Sequence, residues 1–491
     1  MDWNEYIDEA TIRAFLSEEI GHFARPIREA LVVFLSGLPD AAQREILAAQ
    51  AALPEAAGAS ERLGVLAQQC PVLHKLGQTL SRERRLDPGL RRAFGKLETL
   101  PASVPHATLR ATLRDELGDL GRLGIELDAT AIAEASVAVV IGYRDRGPGG
   151  VFKILKPGIE ERLELELEQL GKVGAYLDER CTELRIPRFG YEEAFRQVRE
   201  KLLDEVRLTA EQRHLALAAQ QFAQDDAVQV PTLRPYCTNR VTAMERIAGR
   251  KVTDHGLRTL DERLRLASRI ASALLVRPVF ATGDEVLFHG DPHAGNLFLT
   301  PEKRLAILDW SLAGTLGARQ REAIVHILIG AMLLDEQRLV DMLAAISAGP
   351  ARDPTQLALT VQRHLRPIRA GRLPDFRWVM RLMDDAFEGA GLTANGDLLL
   401  FRKSLYTLDG VIADVAPGNR SIEHSFFLDF VQQLAAEWPR RWSSPLDSRA
   451  FTTRLSNLDL TQLMVSIPLA TTRFWLARNR AGKAEAATGR R

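Results

Sequence analysis

His289-Gly290-Asp291-Pro292-His293-Ala294-Gly295-Asn296 sets an aspartate and an asparagine five positions apart, and Leu308-Asp309-Trp310 follows soon after. The spacing fits H-x-D-x-x-x-x-N, in which the aspartate orients an attacking group and the asparagine holds a metal. The apolar run Leu305-Ala306-Ile307-Leu308 reads as a strand that delivers Asp309 as a second metal-binding side chain. Magnesium is a hard cation bound through oxygen, so Asn296 and Asp309 are suitable residue types. The reaction such a set serves is phosphoryl transfer, with Asp291 as its catalytic carboxylate.

A second anchor lies upstream. Val151-Phe152-Lys153-Ile154 resembles a strand whose lysine grips the α and β phosphates of a nucleotide. Strand alternation puts the Lys153 ammonium on one face and Phe152 and Ile154 on the other. The nucleotide-covering G-x-G-x-x-G that precedes such a lysine in protein kinases is absent. Ala131-Ile132-Ala133-Glu134-Ala135-Ser136-Val137-Ala138-Val139-Val140 stands in its place. No Walker G-x-x-x-x-G-K-[ST] occurs anywhere. Small side chains such as those of Ala135 and Ser136 let a backbone approach phosphates, with less φ freedom than glycine. Taken alone, the same segment also reads as a plain buried strand.

With these residues in place, the chain resembles the ABC1/UbiB (ADCK, AarF) family of atypical kinases. Lys75-Leu76-Gly77-Gln78 looks like its K-x-G-Q motif. The Ala-rich segment, Phe152-Lys153-Ile154-Leu155-Lys156-Pro157-Gly158-Ile159, Met244-Glu245-Arg246-Ile247-Ala248-Gly249 and the Asp291 loop follow in the family's order. The resemblance covers roughly residues 70–330. It implies an α+β, protein-kinase-like two-lobed fold, with an N-terminal helical extension that carries K-x-G-Q and a mostly helical C-lobe. It implies ATP with Mg²⁺ as cofactors, ATPase or kinase activity, and support of quinone or isoprenoid-lipid metabolism. By position, Lys75 and Gln78 match the functional pair of the extension. Lys153 matches the phosphate-binding lysine, Asp291 the catalytic-loop aspartate, and Asn296 and Asp309 the metal ligands. Ala135 and Ser136 belong to the nucleotide loop, and Met244 and Glu245 to the hinge between lobes.

Several positions depart from the family's pattern. The acidic helix motif E-x-D-x-x-x-E-A is best matched by Glu205-Val206-Arg207-Leu208-Thr209-Ala210-Glu211, which offers Glu211 as the partner of Lys153. Arg207 stands where a carboxylate is expected, and Gln212 where alanine is. A cation at 207 would repel Lys75 and alter how the extension docks. Trp310-Ser311 replaces Phe-Gly after the metal aspartate, which restricts switching of that loop. Gly290 stands where the family often has alanine. His-Gly-Asp with Asp-Trp is equally like the aminoglycoside phosphotransferases, so a small-molecule phosphotransferase is one alternative. A non-catalytic nucleotide-binding regulator is the other.

Composition bounds the partners. Lys+Arg and Asp+Glu are 64 each, so no global basic field draws the chain to nucleic acid. Cys70, Cys181 and Cys237 are too widely spaced for a zinc site or a disulfide framework, which favours a reducing, cytoplasmic setting. The acidic start Met1-Asp2-Trp3-Asn4-Glu5 is unlike a secretory signal. The longest uncharged stretch near the C-terminus, Leu460 to Thr472, contains Pro468 and is too short to span a bilayer. Arg473, Arg478, Arg480, Lys483, Arg490 and Arg491 beside Phe474-Trp475-Leu476 suggest peripheral contact with anionic lipid.

These residues must be positioned by three blocks. Residues 1–115 read as the helical extension, 116–250 as a small lobe with strands near 137–143 and 150–155, and 251–491 as a helical lobe with a tail. Asp145-Arg146-Gly147-Pro148-Gly149-Gly150 is a hairpin connection. Pro350, Pro354, Pro367 and Pro374 mark expected helix breaks.

Overall fold

The computed structural model describes residues 2–80, 85–98, 104–188, 190–204, 206–254, 256–347, 349–417 and 421–488. It is a mixed helix-and-sheet protein with a kinase-like fold. Two compact units divide it: Met1–Ala219 with Pro231–Ile247, and Gln220–Val230 with Ala248–Arg491.

The first unit joins the extension helices to an antiparallel sheet. Its strands are β1 (Glu126–Glu134), β2 (Ala138–Arg144), β3 (Gly150–Leu155) and β5 (Val241–Met244), paired in the order β1-β2-β3-β5. The β2–β3 connection is the Gly/Pro-rich turn around residue 147, with Asp145 Oδ1 accepting from the Gly147 and Gly149 amides at 2.9 and 3.2 Å. Every residue of β3 is buried. Phe152 stacks on Tyr143 of β2, with centroids 4.1 Å apart and planes 21° apart. Such a pair adds about 0.5–1.5 kcal/mol beyond its buried area.

The Ala-rich segment divides differently from its reading as one loop or one strand. Ala131–Glu134 completes β1, where register shifts against β2 mark a bulge. Only residues 135–137 form the turn, closed by the Ala135 amide donating to Ala138 O at 2.8 Å. An unpaired bulge residue lets the strand bend into that turn.

The K-x-G-Q helix spans Pro71–Leu80 and packs on the long helix Ile159–Leu184. A Cβ on Gly77 would lie 2.8 Å from Leu97 Cδ1 and 3.1 Å from Phe94 Cδ1. The glycine of the motif therefore allows a close approach to the neighbouring Pro88–Gly95 helix. Gly158 starts the long helix at φ +66°, a left-handed conformation that explains glycine in Lys-Pro-Gly-Ile.

The second unit holds two sheets and the large helical bundle. One sheet pairs β7 (Glu285–His289) with β10 (Ala313–Gly317). The other orders β4 (Val228–Gln229), β9 (Leu305–Ile307), β8 (Leu297–Leu299) and β6 (Arg250–Lys251). Buried Arg321, in helix Ala318–Leu333, donates to Ala281 O at 2.6 Å and to Asp284 O at 3.2 Å, and also to Gly283 O. It thereby fixes the turn that feeds β7. Helices follow to Thr488.

Pro350, Pro354 and Pro374 lie at breaks, and Pro354 opens a helix at N1. Pro367 corrects the expectation, because it lies inside helix Pro354–Arg369. It sits in the last turn, where the missing donor removes one ladder bond and little helix remains to be kinked. Among the described residues no helix is long and apolar enough to cross a membrane.

Candidate functional site

In the first unit, Lys153 Nζ lies 2.8 Å from Glu211 Oε1, with both side chains almost wholly buried. Lys153 comes from the middle of β3, flanked in register by Val140 of β2 and Thr242 of β5. Glu211 comes from helix Leu208–Gln221. Gln212, which replaces the expected alanine, ties that helix to the sheet. Its Nε2 donates to Thr242 Oγ1 at 3.1 Å and to the Thr238 and Val241 carbonyls at 2.9 and 3.1 Å. The sequence reading missed this role, because it compared Gln212 only with the family's small residue.

The turn ahead of β2 is fixed by charge. Lys156 Nζ is 2.7 Å from Glu134 Oε1, and the Val104 amide donates to Glu134 Oε2 at 3.3 Å. Ser136 is buried and Ala135 is exposed. Met244 ends β5, and the next residue Glu245 accepts from Thr232 through its amide and hydroxyl at 3.3 and 3.1 Å. Lys75 is partly buried one residue after His74. The ring of His74 donates from Nε2 to Leu97 O at 3.0 Å, and burial lowers its pKa to about 4, so it is neutral. Gln78 lies on the same helix, with its side chain outside the described residues, as is Glu205. Arg207 is exposed just before the Glu211 helix.

In the second unit, β7 runs into the Asp291 loop. His289 is buried, and its Nε2 donates to Leu308 O at 3.0 Å while Nδ1 accepts from the Asp291 amide at 3.1 Å. Desolvation pulls its pKa below the usual value, which matches a neutral ring with the proton on Nε2. Asn296 Nδ2 donates to Asp291 O at 3.1 Å, so the loop closes on itself.

Asn296 and Asp309 reach the same end of the β8–β9 hairpin. Leu297 pairs with Ile307, and the Leu308 amide donates to Asn296 O at 2.8 Å. Asp309 adopts φ +46°, a left-handed conformation that aspartate tolerates better than most residues. Its Oδ1 accepts from the Ser311 amide at 3.1 Å. Trp310 is buried, donates from Nε1 to Ile307 O at 3.3 Å and meets the His289 ring edge-on at 4.9 Å. These contacts anchor the loop behind Asp309.

Among the described residues no group of three or more His, Cys, Asp and Glu is arranged to hold a metal. One carboxylate and one amide oxygen at a hairpin end fit Mg²⁺, which takes few protein ligands and completes its shell with water and phosphate oxygens.

Sequence reasoning also missed Lys403, whose Nζ is 3.2 Å from Asp291 Oδ1. It missed Ser404, whose hydroxyl donates to His289 O at 2.8 Å. Both lie on helix Gly396–Val415, more than a hundred residues past the loop, and no spacing signal connects them to it.

The fold and these groups define an α+β protein of the protein-kinase-like class. The ABC1 atypical kinase-like domain is matched over residues 100–343. The chain belongs to the ABC1/UbiB family. It is 26% identical over 369 residues to a probable protein kinase UbiB of Haemophilus ducreyi, covering 71% of this chain and 66% of that protein. An uncharacterized chloroplastic aarF domain-containing protein kinase of Arabidopsis thaliana is 30% identical over 259 residues, or 50% of this chain and 46% of the relative. The solved complex of Rv3197 with erythromycin from Mycobacterium tuberculosis is similar at a TM-score of 0.49 and 17% identity, covering 79% of this chain and 87% of that one.

Proposed function

We propose that the chain binds ATP with Mg²⁺ and transfers or hydrolyses its γ-phosphoryl group. The observation that carries this reading is the buried ion pair of Lys153 with Glu211. A buried ammonium persists only when it is paired, and this one sits on the strand where the family's phosphate-binding lysine is expected. In the first unit Lys153 takes nucleotide phosphate oxygens, with Ala135, Ser136, Met244 and Glu245 forming the nucleotide's surroundings there. Lys75 and Gln78 act from the extension. Asn296 and Asp309 hold the metal, which when bound neutralises phosphate charge. Asp291 orients water or a substrate hydroxyl and accepts its proton.

The test is thermal unfolding in MgATP. Ligand at a hundredfold excess over its Kd adds about 2.7 kcal/mol of stability. The expected upward shift disappears in Lys153→Met and Asp309→Asn. No shift in the wild type, or the same shift in all three proteins, counts against the reading.

Two finer assignments rest on family resemblance and on the surface. The first is support of quinone or isoprenoid-lipid metabolism, tested by ADP release with and without isoprenoid-like lipids or phenols. The second is peripheral lipid contact through helix Asn457–Thr488, which exposes Met464, Val465, Leu469 and Trp475. Co-sedimentation with anionic vesicles, lost on Met464→Ser with Leu469→Ser, tests it.

The anchored Trp310 favours one alternative, a regulator that binds nucleotide without turnover. Binding of MgATP without ADP release would select it. A labelled product formed from a small molecule would select a phosphotransferase like the aminoglycoside kinases.

A further inference from the structure

Lys403 and Asp291 form a partly exposed ion pair, with side chains 36% and 18% accessible. Exposed pairs contribute little to folding, so stability alone is a weak reason for this one. The helix beneath it is held firmly to the Asp291 loop. Ser404 donates to His289 O, Phe401 packs edge-on against Phe288 at 5.2 Å, and Leu400 closes against Gly290. One turn earlier, Asp397 Oδ2 accepts from Thr315 Oγ1 of β10 at 3.4 Å. Residues 397, 400, 401 and 404 thus fasten one face of the helix to β7, β10 and the loop. The ammonium of Lys403 is delivered by this rigid mount.

The backbone at Asp291 is fixed by His289 and Asn296. Those bonds leave the direction of its carboxylate to be set by other groups, and Lys403 bears on one of its oxygens.

We propose that Lys403 is a positioning residue for phosphoryl transfer, holding the Asp291 carboxylate by one oxygen so that the other faces the attacking group. This rests on the ATP-using function proposed above. In the step, the nucleophile's oxygen bonds to the γ-phosphorus. The bond from that phosphorus to the bridging oxygen breaks, and its electron pair leaves with ADP. The nucleophile's proton passes to Asp291. Lys403 gives up no proton and keeps its charge throughout. Orientation of this kind acts on the chemical step more than on nucleotide binding.

The experiment compares MgATP turnover, KM and melting temperature in the full chain for wild type, Lys403→Met and Lys403→Arg. The methionine variant should lose roughly 10- to 100-fold in kcat, the usual scale for removing a group that orients a catalytic ligand. Its KM for MgATP and its melting temperature should stay at wild-type values. The arginine variant should recover most of the rate, because it restores a cation at the same helix position. Wild-type kcat in Lys403→Met overturns the proposal. So does a rate loss matched by a fall in melting temperature, or an arginine variant as slow as the methionine one. A wild-type chain that fails to bind MgATP, or binds it without releasing ADP, overturns the proposed turnover and this inference together. That result is distinguishable because the defect then appears without any substitution.

Discussion

Lys153 and Glu211 are 58 residues apart in sequence and meet at 2.8 Å in a buried ion pair. Removing one member leaves the other charge buried without its partner, at a cost of about 3–5 kcal/mol. Glu211→Ala should therefore lower the melting temperature by roughly 6–20 °C. Lys153→Met combined with Glu211→Leu should recover most of that stability while abolishing the MgATP-induced shift. Thermal melts of the single and double variants, with and without MgATP, check both statements.

Glu166 offers a test by pH. It lies on the long helix Ile159–Leu184, is almost wholly buried, and accepts from the Val72 amide at 2.9 Å in the first turn of the K-x-G-Q helix. Burial raises its pKa to about 7 from 4.5, against the hydrogen bond from Val72 and the charge of Arg162. Between those values the folded chain binds more protons than the unfolded one. Stability from this group is therefore fully present below pH 4.5 and is lost as pH rises to about 7. Glu166→Gln keeps an oxygen acceptor and removes the titration. Its melting temperature relative to wild type should rise across that window and level off above it.

Gly290 separates His289 from Asp291 with no room for a side chain. A Cβ there would lie 2.9 Å from the Leu312 carbonyl oxygen and 2.8 Å from Leu400 Cδ2. The backbone oxygen belongs to the bond that Gly290 itself makes with Leu312 at 2.8 Å, so it cannot withdraw without breaking the loop's attachment. Gly290→Ala should cost about 1–3 kcal/mol, the scale of overpacking. Adding Leu400→Ala should recover only part of the loss. Chemical denaturation of the two variants measures it.

Trp310→Phe removes the Nε1 bond to Ile307 O and leaves that carbonyl facing the core. An unsatisfied buried acceptor costs about 1–3 kcal/mol. Asp309 is next to Trp310 and holds a left-handed backbone at φ +46°, so loosening the Trp310 contact should also shrink the Mg²⁺-dependent part of the MgATP stabilisation. Melting curves with ATP in the presence of Mg²⁺ or EDTA separate the two effects.

How much of this was legible in the sequence depends on how far apart the cooperating residues are. The Asp291 loop, Asn296 and Asp309 lie within a short span and carry their own spacing. Lys153 is marked by its strand, and Glu211 by a partial motif that identified the right partner despite Arg207 and Gln212. Gly158 could be read in its motif before its positive φ was seen. The Ala-rich segment was legible in composition but not in detail. Residue types alone do not indicate that β1 continues to Glu134 and turns through a bulge, because alanine and valine suit strand and turn edge alike. Pro367 misled for a similar reason: proline's cost depends on how much helix lies beyond it.

The sequence by itself determined the chemistry: which side chains are oxygen donors or ammonium groups, and their order along the chain. Tertiary structure alone decided which distant groups bear on them. Lys403 and Ser404 against the Asp291 loop, Glu166 on the K-x-G-Q helix and Arg321 on the turn into β7 are contacts across 37 to 115 residues. No local periodicity encodes such pairings. They follow from the packing of whole helices, whose buried faces fix where a single lysine or carboxylate must emerge.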